Sequence, residues 1–594
     1  MLHKLLLCLL LASVFLFPAS AQDAARTQGT LIPIGGGYKT LHNFVEAALP
    51  YWQTLNATHF TMLMLPPAFS YNPYQFSQQE LLDNSYLADL RRSQLEESCR
   101  DVLASHNIDG VPCRVIVPPV YTREAAQSSL IEQFFTADLA AIYFLGGDQI
   151  NAMNIIANTR LEQAIAQAFQ RGVPLGGNSA GAALLAQPMI AGYAPEYDQN
   201  NALREGAVNL WNQPDAGERG LSVGAGNALI ETHLWELGRV PRVLNLLSFD
   251  DAPHLVIGID GSTGGVLQDE TIFRDVFGQY SAAIFDGISL NASENASFSA
   301  NGVLSIHNVL IHLLAPGDFS FNLTTLQPSW TDHLVNAERD FSAFEKPENT
   351  GDLYLYGSAP PSSSFPDNAG TLVLLVGYPD AAQLANTAEQ YAGDRQIVSL
   401  LAGDQLAEVL PEGTALSDYG FIAVIGGDQS LINIEQLQPV AEAWRGGMTV
   451  LLGGAAAAAA GQTYVANPAV NFVTGNAGVL EAHSQGSFIV GGTILRRGLE
   501  LINLNIEPRL IDNNRFGRLF SLAFNERSVQ ALGLPADTAV RFTSDGAFVQ
   551  GESAAFVLDL SESTLGVGAN NAFVIANALL DTYPASERIE AIHP

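Results

Sequence analysis

Cysteine is scarce: the 594-residue chain holds three, and Cys8 lies inside the N-terminal apolar run. A scaffold built on disulfides is thereby excluded. The remaining two, Cys99 and Cys113, either pair in an oxidising compartment, closing a short loop, or stand as buried thiols. The eleven histidines are scattered with no H-x-x-x-H spacing, and C-x-x-C is missing too, so the chain presents no metal-ligand cluster. Basic residues are also few, 27 against 60 acidic ones for a formal charge of -33, which repels nucleic acid and anionic membranes. Long apolar runs are limited to residues 5–17, preceded by His3 and Lys4 and followed by Ala19-Ser20-Ala21. That is the pattern of a cleavable signal peptide over residues 1–21. With no second run long enough to span a bilayer, the expectation is an exported protein, periplasmic or secreted, with no membrane partner.

What is present centres on Leu175-Gly176-Gly177-Asn178-Ser179-Ala180-Gly181-Ala182-Ala183. Here Ser179 occupies a G-x-S-x-G pattern, whose small residues permit the strained strand-to-helix turn that displays a nucleophilic hydroxyl. The alternative is a glycine-rich turn carrying a solvated serine. A short strand before it and a helix over 180–186 place the serine at a helix N-terminus, so backbone N–H groups near Ala180, and near Gly147 in the neighbouring turn, are candidates for holding an oxyanion. A serine hydroxyl needs a base. The nearest histidine downstream is His233, in a segment that also holds Glu231, Arg239 and Arg242.

Along the chain, apolar runs at 29–34, 59–65, 114–117 and 139–145 read as strands, and the amphipathic stretches 41–51 and 79–98 as helices. The alternation argues for an α/β fold, a mainly parallel sheet with helices on both faces. The strand ending at Leu145 leads into Gly146-Gly147-Asp148-Gln149, at the strand end where open α/β sheets bind ligands. The chain also repeats. Gly146-Gly147-Asp148-Gln149 recurs as Gly426-Gly427-Asp428-Gln429, Leu175-Gly176-Gly177 as Leu452-Gly453-Gly454, and Gly29-Thr30-Leu31 as Gly370-Thr371-Leu372. The implied division is a first α/β domain over 29–330, a linker region over 331–369 rich in serine and proline, and a second domain over 370–594. Ala456 then stands at the serine's place, so the second domain reads as an inactive copy.

Taken together, Gly146-Gly147-Asp148-Gln149, Gly177-Asn178-Ser179-Ala180-Gly181-Ala182, Glu231-Thr232-His233 with Arg239 and Arg242, and Gly258-Ile259-Asp260 resemble the cyanophycinase and dipeptidase E group of serine peptidases, family S51. The resemblance implies a class I glutamine-amidotransferase-like fold, a Ser-His-Glu triad, and exopeptidase action on aspartyl or β-aspartyl bonds of a peptide substrate, without metal or organic cofactor. Ser179 and His233 match the family's nucleophile and base; Gln149, Arg239 and Arg242 match its substrate pocket, with Asp148, Asn178 and Glu231 beside them. Two departures stand out. The family's acid follows the aspartate in a G-I-D-E-x-T pattern, but this chain reads Gly258-Ile259-Asp260-Gly261-Ser262-Thr263, which leaves Asp260, Glu231 or Glu270 to orient the histidine, or Ser179 and His233 to work as a dyad. The third pocket arginine falls on Leu237. In the second half, residues 511–518 resemble the histidine segment with a few residues missing and no histidine. Either a homodimer or an intramolecular pairing of the two halves fits this layout. The rival readings are an esterase of the α/β-hydrolase type and a binding module that keeps the pocket without the chemistry.

Overall fold

The structure is a computed structural model, and it describes residues 29–75, 77–333, 339–365, 370–393, 395–468 and 484–590. The signal-peptide reading of residues 1–21 lies outside them. In the first half the strands that organise the fold are β1 (Thr30–Ile34), β2 (Phe60–Leu65), β3 (Cys113–Ile116), β4 (Leu139–Phe144), β5 (Leu175–Asn178), β6 (Leu229–Thr232), β7 (Leu255–Ile259), β8 (Thr263–Gln268), β9 (Ile272–Gly278), β10 (Ala282–Asp286) and β11 (Leu304–Leu314). The order β3-β2-β4-β5-β1-β8-β9 forms one sheet, extended at its edge by Phe321–Asn322 and Gln327–Pro328. Its first five strands run parallel, and β8 and β9 add antiparallel. Strands β2 and β4 are apolar and buried at nearly every position, as strands covered on both faces must be. On one face, helices α1 (Leu41–Thr54) and α2 (Gln78–Ser105) pack Phe44, Trp52, Leu95 and Val102 onto the sheet. On the other, α3 (Gln149–Ile156) buries Met153 and Ile156. Cys99 of α2 is joined to Cys113 at the start of β3 by a disulfide, their Cα atoms 6.0 Å apart.

The second half contributes β12 (Leu353–Tyr356), β13 (Thr371–Val376), β14 (Gln396–Leu400), β15 (Phe421–Gly426), β16 (Thr449–Gly454), β17 (Asn505–Pro508), β18 (Ala531–Leu534), β19 (Thr538–Thr543), β20 (Gly546–Gly551), β21 (Ala554–Asp559) and β22 (Phe573–Pro584). Its sheet runs β14-β13-β15-β16-β12-β19-β20, the order of the first sheet strand for strand. A third sheet takes strands from both halves, β6-β7-β10-β11 followed by β22-β21-β18-β17, joined where β11 and β22 pair antiparallel, with Leu310 opposite Leu579 and Ile311 opposite Ala578. One apolar core lies on this sheet and mixes Trp235, Phe285 and Ile311 with Phe488, Phe520 and Ile575.

Three readings of the repeat need correction. The segment read as a linker over 331–369 contains β12, which pairs with β16 and β19 in the middle of the second sheet. β12 therefore answers to β1, and Thr371 opens β13, the counterpart of β2; the Gly-Thr-Leu match was a coincidence of two short strand openings. The elbow of the second half is Gly454, at φ 59 and ψ -130, not Ala456. Ser179 has φ 52 and ψ -125, so a glycine has taken the strained position where only glycine sits without cost. Finally, no residues are missing from the second half's histidine segment. β17 ends at Pro508, Arg509 follows with φ 55 where His233 has φ 52, and Arg515 stands at the N-cap position of α6 (Phe516–Asn525) as Arg239 does for α5 (Val240–Leu247).

Candidate active site

Ser179 follows β5 and opens the short helix α4 (Ala180–Ala183) with a positive φ, a conformation that a serine keeps only where the surroundings enforce it. The enforcement is visible in its neighbours. A Cβ on Gly181 would stand 2.2 Å from the Phe144 carbonyl oxygen and one on Gly177 2.5 Å from the Gly181 oxygen, so the two glycines let β4 and α4 close around the turn. Next door, Gly147 has φ 149, and a side chain there would strike the Ala68 carbonyl oxygen. The Gly146–Asp148 turn is pinned from both sides: Asn178 accepts from the Gly146 N–H at 3.2 Å and the Tyr143 hydroxyl at 3.1 Å, and the Asp148 carboxylate caps α3 through the Asn151 N–H.

His233 comes from the third sheet, directly after β6. Its Nε2 lies 2.7 Å from Ser179 Oγ, read with the hydroxyl donating to the ring nitrogen. Such closeness requires Gly36 after β1, where a Cβ would lie 2.2 Å from the ring. His233 Nδ1 in turn donates to Glu236 Oε1 in a short contact. None of the three carboxylates expected from sequence touches the histidine. Asp260 is fully buried below the loop, its Oδ1 accepting the N–H groups of Trp235 at 3.2 Å and Glu236 at 3.0 Å. Glu231, 1 % exposed, is taken by Arg242 through Nε at 2.8 Å and Nη2, and by Arg239 at 3.3 Å. Glu270 accepts the Gly226 N–H at 3.0 Å.

Glu236 is the residue that sequence reasoning missed, and the missing glutamate at 261 was the signal for it. A Cβ on Gly261 would lie 2.2 Å from Glu236 Oε2: the glycine opens the space that Glu236 fills from the other side. Three residues after a histidine with positive φ, the chain has turned far enough to bring a carboxylate back onto the ring.

The surroundings of Asp260, below the loop, displace its titration. Burial first, then the neighbouring charge of Glu236, pushes Asp260 up to about 7 from 3.8, because neither a dry interior nor an adjacent carboxylate favours a second negative charge. A folded pKa above the unfolded one contributes stability that is complete below the unfolded value and is lost as pH rises through the folded one. Asp260→Asn, always neutral, is therefore expected to gain stability relative to the wild type between about pH 4 and pH 7, by on the order of 4 kcal/mol in total. Parallel unfolding curves for the two proteins across that range would contradict this.

The residues expected from sequence to line a substrate pocket are held rather than free. Gln149 donates from Nε2 to the Ile190 and Ala191 carbonyls, both at 3.2 Å. Burial, together with the positive charge of Arg242, keeps the Arg239 guanidinium below the usual arginine range; for Arg242 the burial penalty is outweighed by the Glu231 carboxylate, and the shift is upward. Arg242 also lies over the Tyr193 ring, 4.8 Å from its centroid. Leu237 is 40 % exposed. Among the described residues no group of three or more metal-ligating side chains is placed to hold an ion, and no helix is long and apolar enough to cross a membrane.

In the second half the equivalent positions hold Gly454, Arg509 and Asp512. The cluster around them repeats the charged pairing of the first half: Glu507 pairs with Arg515 at 3.1 Å, and Gln429 accepts from Arg515 and, at 3.4 Å, from Arg518.

The profile of peptidase family S51 matches residues 118–204, which covers the Gly146–Asp148 turn and the serine elbow. A cyanophycinase from Geminocystis herdmanii is 33% identical over 197 residues, 33% of this chain and 67% of that protein. A cyanophycinase from a Nostoc species is 27% identical over 206 residues, 34% of this chain and 64% of its own. The chain thus spans between 53% and 67% of the length of these and other curated relatives it matches. Among solved structures, a peptidase from an acI-B1 actinobacterium aligns over 44% of this chain and 93% of its own at 22% identity, with a TM-score of 0.33.

Proposed function

The chain belongs to peptidase family S51, and from that premise we propose that its first half is a serine exopeptidase cutting aspartyl or β-aspartyl peptide bonds. The observation that carries this reading is the 2.7 Å approach of His233 Nε2 to Ser179 Oγ on a strained elbow, with Glu236 on the far ring nitrogen. Ser179 attacks the scissile carbonyl carbon while His233 takes its proton; Glu236 holds the ring in the required tautomer and stabilises the imidazolium. The N–H groups of Gly147 and Ala180 face the developing oxyanion, the latter in the first turn of a helix where no intrahelical acceptor exists. The amine then leaves with the proton from His233, and water, deprotonated by the same histidine, frees the acyl group.

The second half is a degenerate copy in the same reading, supported by the shared strand order and by Gly454 and Arg509 at the positions of nucleophile and base. The fold of each half is of the class I glutamine-amidotransferase type, and the N-terminal 21 residues direct export.

Leu237 argues for a substrate other than cyanophycin itself. It stands, half-exposed, where the resemblance expects a guanidinium, and one lost charge-assisted hydrogen bond lowers specificity by roughly ten- to a hundredfold. A panel of aspartyl, β-aspartyl and ester substrates tests the reading. Short aspartyl peptides with a neutral neighbour are expected to give higher kcat/KM than cyanophycin, and Leu237→Arg to shift the ratio back by about tenfold or more. Faster cleavage of simple esters than of every peptide would overturn the peptidase assignment.

A further inference from the structure

The loop that carries the base and the acid, His233 to Arg239, turns on two positive-φ residues, His233 and Gly238. A segment of that kind keeps a catalytic geometry only if something outside it fixes it. Much of what fixes it belongs to the other half of the chain. Gln485 Nε2 donates to Glu236 Oε2 at 2.9 Å, so Glu236 uses one carboxylate oxygen for His233 and the other for a residue 249 positions away. Asn514 donates to the Trp235 carbonyl oxygen and abuts Gly238. The Trp235 ring lies 4.3 Å from Phe488 and 5.7 Å from Phe520, centroid to centroid.

We propose that the second half, which has lost its own nucleophile and base, acts as a built-in positioning subunit, with Gln485 holding the Glu236 carboxylate against His233. This rests on the reading of Ser179, His233 and Glu236 as a triad. The chemistry suits the task. A glutamine amide donates without titrating, so it favours the ionised carboxylate that the imidazolium needs, and it does not compete for the histidine's proton as a lysine would. At 6 % exposure its amide has given up water and must find its partner in the protein. Glu236 is then fixed on three sides: by the ring, by Asp260 below its backbone N–H, and by the amide from the second half. The opposite half thus supplies to the loop the rigidity that a strand end would have given an acid at position 261.

The test reads the reaction of Ser179 with a fluorophosphonate, which needs the same proton transfer and no knowledge of the substrate. The limiting rate constant and the half-saturating concentration are measured on the full chain for the wild type, Gln485→Met, Glu236→Gln and the double variant. Gln485→Met keeps length and removes the donor. Its limiting rate is expected to fall about tenfold or more with the half-saturating concentration unchanged, and its effect is expected to shrink below about twofold in the Glu236→Gln background, because a residue acting through Glu236 has nothing left to act on. A normal rate for Gln485→Met, or an equal fractional loss in both backgrounds, overturns the proposal. Gln485→Glu, which keeps the shape but faces Glu236 with a carboxylate, is a second reading should the methionine variant fail to fold: a loss of about tenfold or more supports the proposal and a normal rate refutes it. Should Glu236→Gln itself react as fast as the wild type, the triad reading fails; should it be slow while Gln485→Met is normal, only the positioning role fails.

Discussion

Ser179→Ala is expected to abolish hydrolysis, with kcat/KM falling by at least about 10³-fold, the scale on which loss of a triad nucleophile is felt. The fold should survive. Alanine keeps the serine's Cβ, so the strained φ of 52 is no worse for the variant, and the hydroxyl that is lost makes one hydrogen bond, to His233. A second elbow of the same shape closes at Gly454 without a side chain at all. Circular dichroism and a thermal midpoint within a few degrees of the wild type, together with the lost turnover, are the expected pair of results. Turnover comparable to the wild type would remove Ser179 from the mechanism.

The second large effect concerns the acid. Glu236→Gln is expected to lower kcat by about 10⁴-fold, as when the orienting carboxylate of a triad becomes an amide and the histidine is held in the wrong tautomer. The geometry at Gly261 allows a sharper test. In the wild type Gly261→Glu must displace Glu236, whose Oε2 occupies the space of the new Cβ, so activity should drop. In a Glu236→Ala background the space is empty, and a carboxylate from position 261 can reach the ring, so the same substitution should raise activity by about tenfold or more. This reversal of sign separates a shared acid site from two unrelated lesions: a Gly261→Glu change that is harmful in both backgrounds would count against Glu236 as the orienting residue.

How much of this was legible beforehand depended on the kind of signal. Local signals read well. The glycines around Ser179 report a close approach of backbone, which is a property of the turn itself, and they pointed to the strand, the elbow and the helix that the structure contains. His233 was reached by adjacency in sequence to a cluster of charged residues, and the structure brings its ring onto the serine. The acid was not legible because its position depends on a hole elsewhere in the chain. Asp260, Glu231 and Glu270 are all near His233 in sequence or motif, yet each is satisfied by other donors. Only the coordinates show that Gly261 faces Glu236. The bounds of the second copy were misread for a related reason. A three-residue match, Gly-Thr-Leu, outweighed strand order, and the Ser/Pro-rich composition around β12 hid a strand of four residues, Leu-Tyr-Leu-Tyr, which is central in its sheet. Composition describes what surrounds a short strand as much as the strand itself. The contacts that Gln485 and Asn514 make with the first half were beyond any sequence argument, since they span more than two hundred residues.

The most direct measurement of the proposed site at Ser179 is to map a fluorophosphonate adduct. The full chain is incubated with the probe, digested, and the modified peptide identified by mass spectrometry. The expected result is a single adduct at Ser179, formed slowly or not at all in the His233→Ala and Glu236→Gln variants, and none in the second half. An unmodified protein, or an adduct at another serine with Ser179 untouched, would contradict it.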